Sequence, residues 1–379
     1  MEFELSADQR ALAEAAADLL EGMASSERVR ALVGPGTAED GGGADVAEPF
    51  DPDLWRAMAE QGWLGIEVPE SEGGLGLGMV EVAVLCEQLG RRVAPAPFVP
   101  TVLCLGALEA ARRDDEVSEE VVGELGHFVE MLSEGRGIGC VAWADSSLTV
   151  RSVEGRWLLT GRPEPTQYAS VADIAVVATD EAVYAQILGE GKRPPHEPSM
   201  DRTRPLGWLA FDSTPVWRIG GAGAAARLLD RAVTAAAAQL LGASERALEM
   251  SVEYAKVRRQ FGHPIGSFQA VKHRLADALV DVEAMRSSAY YAAWCVATGD
   301  PEASAAASMA KAWCSDASRR VMASAMQAHG GIGFTWEYDL HLYVKRAQLD
   351  ASSFGSAPFH RDRLAGMLAA NLATGASPI

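Results

Sequence analysis

Two short stretches of the sequence combine residue types that could bind an anionic dinucleotide. The first, Arg258–Gln269, reads RRQFGHPIGSFQ and interrupts two long helical patterns. Its guanidinium, amide and aromatic groups beside a glycine turn could clamp a pyrophosphate. The same residues could instead only end a helix, because arginines complement the helix dipole and Gly262 suits a left-handed cap. Both interpretations stay open at this point.

The second stretch, Gln327–Phe334, reads QAHGGIGF and ends another long helical pattern. Its paired glycines, Gly330 and Gly331, would let a ligand approach the backbone closely, and Gln327 supplies a polar tip. An ordinary helix stop with a satisfied histidine would give the same letters. The stretch does not follow a strand, so it is not a Rossmann fingerprint.

Composition excludes several classes of protein. The chain has 379 residues, of which 48% are apolar and 22% charged, so disorder is not indicated. A net charge of −19 argues against nucleic acid or an anionic membrane surface as a partner. Five scattered cysteines without a Cys-x-x-Cys pair indicate neither a disulfide framework nor a metal site. Without a signal-peptide pattern or a long apolar run, we expect no membrane insertion and a cytoplasmic location.

The apolar periodicity changes twice along the chain. It predicts a mainly α protein with a middle β-domain: an N-terminal helical domain over 1–136, a compact antiparallel barrel or sandwich over 137–222, and a C-terminal helical domain over 223–379. Long C-terminal helices are expected at Leu228–Tyr254, Phe268–Thr298, Pro301–His329 and Tyr338–Leu349. The strands are expected at Gly139–Trp143, Leu148–Val153, Trp157–Thr160, Ile174–Thr179, Val183–Leu188, Leu206–Asp212 and Val216–Ile219. Residues Gly36–Glu48 are expected to form a mobile surface loop.

The motifs, in this order and spacing, resemble the acyl-coenzyme A dehydrogenase flavoprotein family over nearly the full length. The matching segments are Gly62–Ile66, Val68–Glu70, Gly73–Gly76, Glu87–Arg91, Arg258–Gly262, Phe268–Gln269 and Gln327–Gly333. The resemblance implies an N-terminal helical domain, a middle β-barrel and a C-terminal four-helix bundle. Within the family, the chain resembles subunits of actinobacterial heteromeric (α2β2) enzymes.

The resemblance also implies an FAD site shared between subunits. In the family, the FAD lies between the β-domain of one subunit and the C-terminal helices of a neighbour. The residues implied to bind a neighbour's FAD are Arg258, Gln260 and Phe261 on the diphosphate and adenosine side, Gln327, Gly330 and Gly331 at the other end, and Gln269 beside it. A guanidinium suits a pyrophosphate, and glycines permit its approach to the backbone.

The sequence departs from the family at the catalytic base. Relatives place a glutamate before a Gly-Thr pair near the C-terminus, and the aligned residue here is Phe354, which cannot accept a proton. Some relatives carry the base before an arginine near the start of the first C-terminal helix. Asp230 offers a carboxylate there, about two residues out of register, and Glu245 is another acid on that helix. For either carboxylate, a solvated charge on a helix face is the favoured interpretation.

The middle domain departs as well. Relatives have a Thr-Glu segment ending in Gly-Ser-Asp, where this chain has Ala142–Ser146, and a Trp-x-Thr segment, where it has Glu164–Thr166. Residues for the chain's own flavin pocket are therefore degraded, whereas those for a neighbour's flavin are intact.

The expected function is α,β-desaturation of an acyl-CoA thioester by one subunit of a heteromer. A second acyl-CoA dehydrogenase-like chain would supply the flavin pocket and the base, and an electron-transferring flavoprotein would reoxidise the FAD. Two alternatives stay open: a homo-oligomeric dehydrogenase with Asp230 as a displaced base, and a catalytically silent structural subunit. The acyl specificity and the pathway, fatty acid or sterol, are not fixed by the sequence.

Overall fold

The computed structural model describes residues 4–34, 49–144, 147–189 and 191–374, which form two compact units. We call residues 49–78 and 95–232 the β unit, and residues 4–34, 79–94 and 233–374 the bundle unit. The expected loop at Gly36–Glu48 lies outside the described residues. The domain limits at 136 and 222 stay a prediction.

The order of elements is helical, then β, then helical, which confirms the predicted fold class. The helices are α1 (Ala7–Met23), α2 (Ser26–Val33), α3 (Pro52–Glu60), α4 (Met79–Arg91), α5 (Phe98–Arg112), α6 (Glu119–Ser133), α7 (Ala222–Val257), α8 (Gln269–Thr298), α9 (Ala303–His329), α10 (Leu340–Ser352) and α11 (Ala357–Thr374). The strands are β1 (Gly139–Trp143), β2 (Leu148–Val153), β3 (Arg156–Gly161), β4 (Thr166–Gln167), β5 (Ile174–Ala178), β6 (Ala182–Ile187), β7 (Leu206–Gly207), β8 (Phe211–Gly221), β9 (Arg259–Gln260) and β10 (His263–Pro264). None of these helices is long and apolar enough to cross a membrane.

A six-stranded sheet, in the order β1-β5-β6-β8-β3-β2, organises the β unit. Strand β5 is buried along its whole length, as its unbroken apolar run requires. The expectation of purely antiparallel pairing is wrong at one place, because β1 and β5 run parallel. Strands β2 to β4 lie between them in sequence, and a connection of that length permits parallel neighbours.

Two further differences from the predicted elements have local causes. The predicted strand Leu206–Asp212 is divided between the short β7 (Leu206–Gly207) and the start of β8, and β8 (Phe211–Gly221) also includes the predicted strand Val216–Ile219. Pro215 does not end this strand, because β6 pairs with β8 only from Trp217 onward, so no ladder hydrogen bond from that side needs a proline N–H. Helix α11 has no predicted counterpart. Helix α7 begins at Ala222, before the predicted start at Leu228. The prediction missed this first part because its residues lack apolar periodicity.

All five cysteines are buried, and none of them forms a disulfide. Cys104 and Cys140 lie in the β unit, and Cys86, Cys295 and Cys314 lie in the bundle unit. Burial raises the pKa of Cys104 and of Cys140, and raises that of Cys314 to about 12. The thiols of Cys104, Cys140 and Cys314 are therefore protonated, and all five are inaccessible in the folded protein.

Helices α4 and α7 approach so closely in the bundle unit that two glycines are required. A Cβ atom on Gly242 would lie 1.9 Å from the carbonyl oxygen of Glu87, and one on Gly90 would lie 2.3 Å from that of Gln239. Neither glycine has a positive φ, so the requirement is for space rather than for backbone conformation. The glycine in the Glu87–Arg91 motif is thereby explained by packing.

Alternating charges surround this crossing and tie α4, α7 and α8 together. Glu87 is only 4% exposed and accepts a hydrogen bond from Arg286 Nη1 at 2.6 Å. Arg286 Nη2 donates to Glu245 at 2.6 Å. Arg91 donates to Glu245 and, at 2.8 Å, to Glu249. Because each carboxylate faces a guanidinium, the pairing offsets the cost of removing these charges from water.

Replacing Gly242 with alanine should lower the free energy of unfolding by about 1–3 kcal/mol, because the added methyl group overpacks the α4–α7 contact. Gly123→Ala is the matched control. Gly123 also lies inside a helix, but a Cβ there would meet nothing within 4 Å. This control should stabilise the protein by up to about 1 kcal/mol through helix propensity. Urea unfolding followed by circular dichroism measures both, and effects of the same sign would contradict a steric requirement at Gly242.

Candidate functional site

The first candidate stretch forms a tight hairpin between α7 and α8. Strands β9 and β10 pair Gln260 with His263, and Phe261 and Gly262 form the turn. The φ angles of the two turn residues are 52° and 80°, a combination typical of a type I′ turn. Phe261 is held out from the bundle unit, 89% exposed, and its ring meets that of Phe268 edge-on at 6.2 Å.

Polar side chains on and beside this hairpin are left available for a ligand. Arg258, Gln260 and Gln269 are exposed, and their side chains form no hydrogen bond or ion pair with the described residues. Arg259, in contrast, donates to the carbonyl oxygen of Gly262 at 3.4 Å. An unpaired guanidinium in a chain with a net charge of −19 is well suited to bind an anion.

The second candidate stretch forms the C-terminal end of α9. Gly330 follows the helix with φ 64° and ψ −142°, a backbone conformation restricted to glycine. A Cβ atom on Gly330 or Gly331 would meet nothing within 4 Å, so the backbone here borders open space. Gln327 is exposed one turn earlier. These features fit the close approach of a bulky ligand to the backbone.

An aromatic stack joins the two stretches within the bundle unit. The rings of Tyr254 and His329 lie 4.7 Å apart at 24°, and His329 also packs against Tyr338 at 4.7 Å. The backbone N–H of Arg258 donates to the carbonyl oxygen of Tyr254, and the glycine pair directly follows His329. Burial lowers the pKa of His329, whose Nδ1 donates to Ala325 at 2.8 Å. A neutral ring thus fixes the hairpin and the glycine turn at one end of the bundle unit.

The two candidate acids occupy different environments on α7. Asp230 is 4% exposed, and the neighbouring Arg231 binds Glu67 with Nη1 at 2.8 Å from Oε1. Glu245 belongs to the charge network around the α4–α7 crossing rather than to a solvated helix face. Burial raises the pKa of Glu245, and the two arginines paired with it oppose that rise. The role of Asp230 as a displaced base stays a prediction.

Phe354 lies in the loop between α10 and α11, with φ 57°. Its carbonyl oxygen accepts a hydrogen bond from His360 Nε2 at 3.0 Å. Lys311, which is fully buried, donates to the carbonyl oxygens of Asp350 and Ala351 at 2.8 and 2.9 Å and so caps α10. The backbone at position 354 is therefore held firmly, although its side chain cannot accept a proton.

The segments of the β unit that depart from the family motifs are described only in part. Ala142 and Ala144 are buried, whereas Asp145 and Ser146 lie outside the described residues. The segment Glu164–Thr166 begins with two exposed residues and ends with a buried threonine, whose hydroxyl donates to the carbonyl oxygen of Glu164 at 3.1 Å. The threonine side chain thus serves a local turn.

Comparison with known proteins identifies the family. Residues 6–115 match the acyl-CoA dehydrogenase N-terminal domain, and residues 220–368 match the acyl-CoA dehydrogenase C-terminal domain. The chain is 33% identical over 354 residues to the acyl-CoA dehydrogenase IpdE2 of Mycolicibacterium smegmatis, covering 93% of this chain and 96% of the relative. The chain belongs to the acyl-CoA dehydrogenase family.

Solved structures of similar chains agree with this assignment. A chain of the ChsE4-ChsE5 complex from Mycobacterium tuberculosis is 28% identical, with a TM-score of 0.85 over 97% of this chain and 99% of that one. A chain of the Tcur3481-Tcur3483 steroid ACAD is also 28% identical, with a TM-score of 0.83 over 97% of this chain and 99% of that one. The architecture implied by the family resemblance is thus confirmed.

The sequence did not reveal two residues that hold the candidate segments in place: Lys311, which caps α10 before Phe354, and Tyr254, which stacks on His329. Of these residues, Lys311 carried the clearest sequence signal, because it lies in α9 among Ala307, Ala310 and Cys314, all of which are buried. A lysine on an apolar helix face predicts that its ammonium group donates hydrogen bonds to buried oxygen atoms. Tyr254 had no comparable signal, since its partner lies on another helix.

The stability of the Phe354 loop should depend on pH through His360. Burial lowers the pKa of His360 to about 4, below the usual value of about 6.5. As the pH falls from about 6.5 to 4, the unfolded state binds the proton first, so the fold loses at most about 3 kcal/mol. His360→Gln keeps a donor for Phe354 but does not titrate, and its unfolding free energy should fall less over this window. Parallel curves for the two proteins in urea unfolding would contradict this role.

Proposed function

We propose that this chain is a subunit of an FAD-dependent acyl-CoA dehydrogenase that desaturates an acyl-CoA thioester between its α- and β-carbons. The proposal rests above all on Arg258, an exposed and unpaired guanidinium beside an exposed aromatic ring. The glycine turn at Gly330 and Gly331 is fixed to the same end of the bundle unit. Together they form half of a dinucleotide site.

The residues of this half-site fit the parts of an FAD molecule. Arg258 and Gln260 would hold the diphosphate and its surroundings, because a guanidinium and an amide donate to phosphate oxygens. Phe261 offers an exposed face for a planar ring. Gln327 and the glycine pair would bind the other end, with Gln269 beside it.

The complementary half of the site is expected in a partner subunit. In this chain Glu164–Thr166 lacks the aromatic residue that relatives place over the flavin ring, and Phe354 replaces the carboxylate base. A bound FAD would accept the hydride that leaves the β-carbon. Without a base of its own at position 354, this chain would bind and orient the cofactor while the partner removes the α-proton.

A heteromer agrees with the kinds of complex formed by similar chains. Both solved structures reported above carry the names of two different chains. We infer that the partner is a second acyl-CoA dehydrogenase-like chain, and that an electron-transferring flavoprotein reoxidises the FAD. Flavin content measured for the chain expressed alone and with its partner tests this arrangement. The chain alone should be colourless, and the complex yellow.

Arg258→Ala should weaken FAD binding to the complex by about 10- to 150-fold, because a charge-assisted hydrogen bond to the diphosphate contributes about 1.5–3 kcal/mol. The ratio of flavin to protein after gel filtration, read from visible absorption, measures this loss. Arg56→Ala is the control, since it removes the same charge from an exposed i,i+3 pair with Asp53. Full retention of FAD by Arg258→Ala would refute the shared site.

The two alternatives give different results. A silent structural subunit, favoured by Phe354, would leave flavin content and turnover of the complex unchanged when Arg258 is replaced. A homo-oligomeric dehydrogenase would bind FAD and turn over without any partner. In that case Asp230→Asn should abolish turnover while flavin content is retained.

A further inference from the structure

Helix α2 holds a short segment of the bundle unit in place. We call this segment, residues 335–341, the strap; it leads from the glycine turn into the first turn of α10. Arg30 Nε donates to one carboxylate oxygen of Asp339 at 2.5 Å, and Arg30 Nη1 donates to the carbonyl oxygen of Trp336. The hydroxyl of Ser26 donates to the other carboxylate oxygen of Asp339. The polar contacts of the strap are thus made largely with α2.

A buried imidazole at the end of the strap has no hydrogen-bond partner. His341 is 7% exposed, and neither ring nitrogen forms a hydrogen bond with the described residues. A neutral imidazole carries one N–H, so at least this donor is unsatisfied, which destabilises the closed arrangement. Both nitrogens are shielded from solvent, so only a movement of the strap can give them water.

The surroundings of this imidazole oppose its protonation. Its ring meets the ring of Trp336 edge-on at 4.4 Å. Arg30 faces it from α2 and Lys345 from the next turn of α10, and the acid Asp339 lies on the strap. Burial and the two cations outweigh this acid and lower the pKa of His341 to about 4. In water the pKa would return to about 6.5, so a proton binds more readily when the strap is open.

The contacts with α2 also leave α10 without a side-chain cap. Asp339 occupies the N-cap position, where an aspartate normally accepts a hydrogen bond from a backbone N–H of the first turn. It makes no such bond here, because its two carboxylate oxygens bind Ser26 and Arg30. Release from α2 would let Asp339 cap α10. An open strap therefore exchanges its contacts with α2 for a helix cap and a hydrated imidazole.

Glycines before the strap permit such a movement. Gly330 has a φ of 64°, and a Cβ on Gly331 would meet nothing within 4 Å, so the backbone has room to turn there. Within the strap, the ring of Tyr338 lies 4.7 Å from that of His329. Opening would withdraw Tyr338 and leave the Tyr254–His329 stack covered on one side only.

We propose that the strap opens by release from α2 while the rest of the bundle unit stays folded, and that acid favours opening by protonating His341. The open arrangement binds a proton with a pKa of about 6.5 and the closed one with a pKa of about 4, so a fall from pH 7 to pH 5 should raise the open fraction about twentyfold. Opening would also loosen the stack beside the residues proposed to bind FAD. That consequence rests on the proposed function, whereas the opening itself does not.

Hydrogen exchange of the full chain, read by mass spectrometry, tests this proposal. After correction for intrinsic exchange, residues 335–345 should open more often than residues 306–321 of α9, and about twentyfold more often at pH 5 than at pH 7. His341→Phe keeps a ring against Trp336 but needs no partner and does not titrate, so its strap should open less and lose this pH response. His273→Gln is the control, because His273 is exposed on α8, and it should exchange as the parent does.

The role of α2 is tested by a second variant. Arg30→Ala removes the hydrogen bonds to Asp339 and Trp336 and should raise opening at pH 7 about tenfold. Parent-like exchange in this variant would reject α2 as the element that holds the strap. The proposal is also overturned if the strap exchanges only together with α9, or if His341→Phe keeps the full pH response, which would assign that response to His329. All of these rates are measured without added flavin, so they do not depend on whether FAD binds at Arg258.

Discussion

The contact between α4 and α7 is the constraint on which the bundle unit depends. Gly90 and Gly242 bring the two backbones together, and only at that separation can the side chains of Glu87 and Glu245 share Arg286 of α8. These ion pairs fix the position of α8 at Arg286, which lies near the middle of that helix. The hairpin that connects α7 to α8 then has both of its ends fixed, which limits where Arg258 can lie.

The buried groups that hold loop backbones and the exposed groups on and beside the hairpin differ in where they can find partners. Buried groups such as Lys311 and His360 have their partners within the chain and hold loop backbones in place. Arg258 and Gln260, on the hairpin, have none among the described residues. These buried groups are therefore satisfied within a single chain, whereas the side chains of Arg258 and Gln260 can gain hydrogen bonds from another molecule.

The sequence was most informative where structure is locally encoded. The long helices α8 and α9 were predicted within a few residues, because their apolar positions repeat at helical spacing. The family resemblance, rather than any pattern, supplied the roles of residues such as Gln327. The parallel β1–β5 pair, the Tyr254–His329 stack and the α10 cap by Lys311 could not be predicted, because each depends on a partner distant in sequence.

The placement of the thiols provides an internal probe of motion. Because Cys104 and Cys140 lie in the β unit and the other three cysteines in the bundle unit, a maleimide can react only after the corresponding unit opens. Labelling rates assigned to single cysteines by mass spectrometry would therefore give separate opening free energies for the two units. The labelling rates of the individual cysteines would thus show whether the two units unfold together or independently.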